Sequence, residues 1–320
     1  MKIIRAKILG FCMGVRRAVT MTSAAVSASP EPDVAPVHYN TAKYTPDRIL
    51  PVYTLGPLIH NPQVLSFLSQ RGVKILHEAE FVSGSVSLPK GASVIIRAHG
   101  ISPDIEQMLC EQGARIIDAT CPRVKANQNI ASALAEKGYI VFLAGEKEHA
   151  EIKGIYGFAG NTNCIIAGNP EEAGQIASEL SEQKKDSPVK TALIGQTTIS
   201  GDEYISIAAA IKRYFPNLEL KNTICDATRD RQDALRELCS IVDAVIIAGG
   251  KESANTRHLL SIARNCGKEA WLVETASDLP PALLQLPKAE LAEIKIGLGA
   301  GASTPDSVID EIEHALLLLG

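Results

Sequence analysis

Short apolar runs alternate with longer mixed stretches along the chain, and the alternation comes round three times. Each round opens on an apolar run that ends at a cysteine: Ile3–Ile8 before Cys12 in "GFCMGVRRAV", then "RIIDATCPRVKANQNI" around Cys121, then "NTICDATRDRQDAL" around Cys225. A helical pattern follows each cysteine at once. A second run with a glycine turn comes next, in "PVYTLGPLIHN", "YIVFLAGEKEHAEI" and "AVIIAGGKESANT". A polar residue stands at the same distance beyond each glycine: His60 after Gly56, His149 after Gly145, Ser253 after Gly249. Third runs are "VKIL", "CIIA" and "AWLV". Fourth runs are "ASVIIRAHGISPD", "KTALIGQTTISGD" and "IKIGLGAGASTPD". Their ends, Ser102-Pro103, Ser200-Gly201 and Thr304-Pro305, read as helix N-caps, with Ser or Thr capping.

Short all-apolar strands between helices favour a parallel sheet covered on both faces. The pattern therefore predicts an α/β fold of three similar units with mainly parallel sheets. Their expected bounds are 1–115, 116–218 and 219–320. In such sheets ligands collect at the carboxyl ends of the strands. The three cysteines and most of the notable polar residues fall there, so one shared site near a pseudo-threefold axis is expected. The first unit carries an extra stretch, about residues 27–51, "SASPEPDVAPVHYNTAKYTPDRILP". Its prolines and small polar residues read as a surface excursion, and His38 within it as a loop residue.

Composition narrows the classes. At 320 residues, 46% of them hydrophobic, the chain can bury the cores of two or three domains. A formal charge of −4 gives no electrostatic case for nucleic acid or an anionic membrane. No run approaches the ~18 apolar residues of a membrane span. The opening "MKIIRAKILG" lacks the features of a signal peptide, which points to the cytoplasm. There the seven cysteines are core thiols or metal ligands rather than disulfides.

No CxxC spacing is present, so a zinc ribbon is disfavoured. Cys110, Cys164, Cys239 and Cys266 stand singly within helical or strand patterns and read as small core hydrophobes. Cys12, Cys121 and Cys225 share one structural address and read as metal ligands. Three thiolates suit an iron–sulfur cube with one iron lacking a protein ligand. Zinc with an open position is the competing use. His60, His99, His149, Thr197, Ser253, Asn255 and Ser303 form a donor-rich set suited to a diphosphate. Glu151, two residues after His149, is placed for proton delivery. Two other readings stay open. A non-catalytic iron–sulfur sensor would need the cysteines but not Glu151 or Thr197. A cluster-free phosphate-binding enzyme would leave the cysteines in the core.

Taken in order, "GFCMGVRRAV", "GPLIHN", "RAHGIS", "DATCPRV", "EHAEIKGIYG", "QTTIS", "ICDATRDRQDAL", "GGKESANTRHL" and "GAGASTPD" resemble the LytB/IspH family of 4-hydroxy-3-methylbut-2-enyl diphosphate reductases. The likeness runs from Lys2 to the last helix. It implies three α/β domains in a trefoil around a central iron–sulfur cluster. It also implies reductive dehydroxylation of the allylic diphosphate to isopentenyl and dimethylallyl diphosphate, the last step of the non-mevalonate (MEP) pathway. By motif match Cys12, Cys121 and Cys225 would hold a 4Fe–4S cluster with one iron free of protein ligands. His60, His99, Ser253, Asn255 and Ser303 would hold the diphosphate. His149 would bind substrate, Thr197 would lie near its hydroxyl, and Glu151 would donate the proton. Ala254 falls where many members carry a second serine, which leaves only a backbone contact. The implied electron donor is a small carrier such as a ferredoxin or flavodoxin.

Overall fold

The computed structural model describes residues 1–26, 51–59, 61–160, 163–185 and 189–319. His38, His60 and nearly all of the 27–51 excursion lie outside the described residues. The chain begins with β1 (Lys2–Arg5) and α1 (Met13–Val26). Then come β2 (Val52–Leu55), α2 (Pro62–Gln70), β3 (Val73–Leu76), α3 (Glu78–Val82), β4 (Ser93–Ile96), α4 (Pro103–Glu111), β5 (Arg115–Asp118) and α5 (Pro122–Glu136). The middle third holds β6 (Tyr139–Ala144), α6 (Ala150–Phe158), β7 (Cys164–Ala167), α7 (Pro170–Gln183), β8 (Lys190–Gly195), α8 (Gly201–Lys212), β9 (Glu219–Leu220) and α9 (Asp226–Cys239). The last third holds β10 (Ala244–Ala248), α10 (Ala254–Asn265), β11 (Glu269–Val273), α11 (Pro281–Leu284), α12 (Lys288–Glu293), β12 (Lys295–Ala300) and α13 (Asp306–Leu317).

The central strands are apolar at consecutive positions because both of their faces are covered. In β6 and β8, Val141, Leu143, Ala192 and Ile194 pack with Ala131 and Leu134 of α5 and Ile152 and Ile155 of α6. Their alternate neighbours Phe142, Ala144 and Leu193 pack with Ala173 and Ala177 of α7 and Ile207 and Ile211 of α8. Successive strand residues thus feed two cores, as the period of two requires. No helix among the described residues is long and apolar enough to cross a membrane.

Three four-stranded sheets result, in the orders β3-β2-β4-β5, β7-β6-β8-β9 and β11-β10-β12-β1, every pairing parallel. All three share one topology. The bounds 1–115, 116–218 and 219–320 follow the sequence repeat, but the sheets cut the chain elsewhere. The strand leading to each cysteine completes the sheet of the unit before it. β5 pairs with β4, with Ser93 opposite Arg115; β9 pairs with β8, with Ala192 opposite Glu219. β1 closes the ring by pairing with β12, with Lys2 opposite Lys295. Partners as far apart as Lys2 and Lys295 leave no local mark in the sequence.

In each sheet the chain leaves one central strand toward one side and the other central strand toward the opposite side. The crevice between those strand ends is where this topology receives ligands. It lies after β2 and β4, β6 and β8, and β10 and β12.

The expected caps are met in part. Ser200 caps α8 by accepting from the Glu203 amide at 3.1 Å. Ser102 occupies the cap of α4 without a side-chain bond. Thr304 is not a cap: α13 begins one residue later than expected, behind Pro305, and the Thr304 hydroxyl turns inward to the Ala248 carbonyl at 3.0 Å.

Candidate active site

Each of the three cysteines stands where a sheet hands the chain to the next unit. Cys12 directly precedes α1, and Cys121 and Cys225 are the N-cap residues of α5 and α9. The same two bonds fix each one. Their amides donate to the carbonyls of Ala302, Ala98 and Thr197, at 3.0, 2.9 and 3.0 Å, each just beyond the end of the neighbouring central strand. Their carbonyls accept from Arg16, Lys125 and Arg229, at 2.9, 2.9 and 3.0 Å, which is the first turn of each helix. All three side chains border one cavity. Burial pushes the Cys121 thiol up, the amides of Arg123 and Val124 pull it down, and Cys12 and Cys225 lie close enough to raise it further. Gly14 makes room for it, since a Cβ there would sit 2.6 Å from the Cys121 Sγ. Among the described residues no three His, Cys, Asp or Glu side chains converge on a single metal ion.

The same cavity is bordered by His99, His149, Glu151, Thr197, Ser253, Ala254, Asn255 and Ser303. Of the residues singled out from the sequence, only His60 is not among them, and it lies outside the described residues. His149 caps α6: its Nδ1 accepts from the Glu151 amide at 3.2 Å, so the ring proton belongs on Nε2. The His99 ring meets the His149 ring edge-on, with centroids 5.2 Å apart. Glu151 is 1% exposed. Its Oε1 accepts from the Thr197 amide and its Oε2 from the Thr197 hydroxyl, both at 2.7 Å. Burial raises this carboxyl to about 7 against the pull of the two Thr197 bonds.

Ser253, which lines the same cavity, caps α10, accepting from the Thr256 amide at 3.4 Å. Ala254 and Ser303 are buried beside it. Asn255 is buried too, and neither its Oδ1 nor its Nδ2 has a partner in the described protein. A side-chain amide with both ends unsatisfied at a cavity wall is shaped for a ligand. Gly249, at φ +147°, lets the turn after β10 close against Thr256 and Thr304, where a Cβ would come within 2.9 Å of both hydroxyl oxygens. The N-terminal ends of α1, α5, α6, α9 and α10 all contribute lining residues. Positive helix ends and neutral donors from three units therefore face one space, which favours an anion.

Two readings of the sequence need correction. Cys110 and Cys266 are exposed, on the outer side of α4 and at the end of α10, whereas Cys164 and Cys239 are buried as expected. Sequence reasoning also passed over Arg231, a buried cavity residue in α9. "RDRQDAL" looks like a solvated charge run. The available signal was periodicity, because Arg231 falls on the buried stripe of Thr228, Leu235 and Leu238.

A family model described as LytB protein matches residues 3–317. The 4-hydroxy-3-methylbut-2-enyl diphosphate reductase of Treponema denticola is 42% identical over 317 residues, covering 99% of each chain. That of Aquifex aeolicus is 34% identical over 98% of this chain and 95% of its own. Among solved structures, the E-1-hydroxy-2-methyl-but-2-enyl-4-diphosphate reductase of Plasmodium falciparum superposes with a TM-score of 0.79 at 27% identity, over 98% of this chain and 87% of that one. A second, an (E)-4-hydroxy-3-methyl-but-2-enyl diphosphate reductase described as the terminal enzyme of the non-mevalonate pathway, gives 0.65 at 33% identity over 99% of both.

Proposed function

Because the chain belongs to the LytB protein family, we propose that its shared cavity is where (E)-4-hydroxy-3-methylbut-2-enyl diphosphate loses its hydroxyl. The activity is reductive dehydroxylation to isopentenyl and dimethylallyl diphosphate, the last step of the non-mevalonate isoprenoid pathway. Two electrons and two protons enter, and one water leaves. One observation carries the assignment of the site: three cysteines from three hand-overs share a cavity with a buried acid bonded to a hydroxyl. A sensor has no use for that acid.

Cys12, Cys121 and Cys225 are the residues that would hold a 4Fe–4S cluster. The donor set fits. It is all thiol, it is flanked by helix N-termini that favour thiolate, and Gly14 leaves it space. Three thiols with no imidazole or carboxylate among them suit an iron–sulfur centre better than a catalytic zinc. When bound, the cluster supplies electrons one at a time and, at an iron without a protein ligand, Lewis acidity.

The chain's own groups do the rest. His99, Ser253, Asn255 and Ser303 hold the diphosphate, with the Ala254 backbone between two of them; His60 joins this set by its motif alone. Since the diphosphate is not consumed, its binding energy fixes the reacting carbon in place. His149 caps α6 through Nδ1 and donates to substrate from the Nε2 side of its ring. Burial raises the Glu151 carboxyl to about 7, so it can keep its proton near neutral pH. In its acid form the Oε2 proton is given to the Thr197 Oγ1, whose own hydrogen then points to the leaving hydroxyl. A small carrier such as a ferredoxin or flavodoxin delivers the electrons.

Anaerobic purification, iron and sulfide assay, and turnover with a chemical reductant test this reading together. Full cluster with turnover is expected, and Cys12→Ser, Cys121→Ser and Cys225→Ser should each lose most of both. Cluster without turnover favours a sensor. Turnover without iron, or a full cluster in any of the three variants, sinks the assignment of the ligands.

A further inference from the structure

The cavity wall holds a cation that the mechanism leaves unused. Arg231 is 3% exposed, and its side chain reaches from α9 toward the start of the chain. Nη2 donates to the Gly10 carbonyl at 2.8 Å and Nη1 to the Ala227 carbonyl at 3.1 Å, while Nε has no partner. Among the described residues no carboxylate forms an ion pair with it. A buried guanidinium without a counter-charge is costly and is not retained for packing alone. Desolvation works against its charge, and besides the two carbonyls it is Cys12 and Cys225 that support it. These are two of the three thiols assigned to the cluster: Cys12 follows two residues after the Gly10 carbonyl that Arg231 holds, Cys225 caps the helix that carries Arg231, and all three line one cavity.

We propose that Arg231 is a positioning residue whose fixed positive charge offsets the negative charge gathered at Cys12 and Cys225, and so makes the centre they hold easier to reduce. The inference rests on the functional reading above. A one-electron reduction adds one negative charge at the centre, and a neighbouring cation stabilises the reduced form more than the oxidised one. The two carbonyl bonds keep the guanidinium from turning away, and burial keeps the interaction unscreened.

The test compares Arg231→Gln, which loses the charge, with Arg231→Lys, which keeps it and loses the planar fork. Each is purified anaerobically, assayed for iron and sulfide, and titrated with dithionite while the cluster's spectrum is followed. Arg231→Gln is expected to shift the equilibrium tenfold or more toward the oxidised form, about 59 mV for a one-electron couple, with Arg231→Lys within about threefold of the parent. Loss of iron from Arg231→Gln but not from Arg231→Lys overturns the proposal, since the charge would then serve assembly of the centre rather than its reduction. An unchanged midpoint in Arg231→Gln overturns it. So do equal shifts, or equal loss of iron, in both variants, which assign the effect to the carbonyl bonds instead. A parent protein that holds no iron is a different failure, that of the cluster reading itself.

Discussion

At the scale of the residue, the proposed chemistry concentrates on Glu151. A carboxyl raised to about 7 is a competent acid below that pH and a buried anion above it. Turnover is therefore expected to fall as pH rises through about 7, and Glu151→Gln to lose about a hundred-fold with that alkaline limb gone. A stability signature goes with it. The unfolded chain releases this proton near the ordinary value of 4.5, the folded chain only near 7, so the folded state is penalised progressively as pH climbs between them. The shift is worth about 3 kcal/mol across that window. Unfolding free energies measured at the two ends should show Glu151→Gln gaining on the parent by about that amount, and a constant gap would mean that Glu151 is already ionised at the low end. Asn255 makes a separate prediction. Both its amide ends lack partners, so Asn255→Ala should weaken substrate binding ten- to a hundred-fold, the loss of a bond to a charged group of about 1.5–3 kcal/mol. An analogue without the diphosphate should bind parent and variant alike; equal losses for both ligands would move Asn255 off the diphosphate.

At the scale of the element, α1 enters the site flush against Cys121, and Gly14 is what permits it. Gly14→Ala removes no ligand and favours the helix by propensity. Its Cβ nevertheless collides with a thiol that two backbone bonds hold in place. Iron content is expected to fall well below that of the parent while the far-ultraviolet spectrum stays helical. Full iron would show that α1 can slide. This contact was invisible in the sequence, as was the pairing of β1 with β12, because each joins positions more than a hundred residues apart. What could be read was local. Cysteine before a helix, glycine after an apolar run and a polar residue just beyond it are short-range patterns, and three copies reinforced one another. The polar residues were found because they sit at strand ends. Arg231 was missed because a charge on a buried stripe looks ordinary until the stripe is known. Cys110 and Cys266 were misjudged because residue type alone does not say which side of a helix faces out.

At the scale of the whole molecule, each unit lends the next one's opening strand to its own sheet, and the ring is closed by β1 against β12. The three units are alike in topology but unlike in what they must wait for. Cys121 is pinned to Ala98 and Cys225 to Thr197, both earlier in the chain. Cys12 is pinned to Ala302, and the strand before it pairs with Lys295–Leu298. A chain stopped after Glu293 keeps all three cysteines but lacks both β12 and that carbonyl. It is expected to retain little iron, whereas a full complement would show that the cage does not depend on the third sheet. During translation the two later cysteines meet their partners as soon as they emerge. Cys12, the first of the three to leave the ribosome, is the last to be set, so if the three hold the proposed cluster its loading waits until synthesis has passed Ala302.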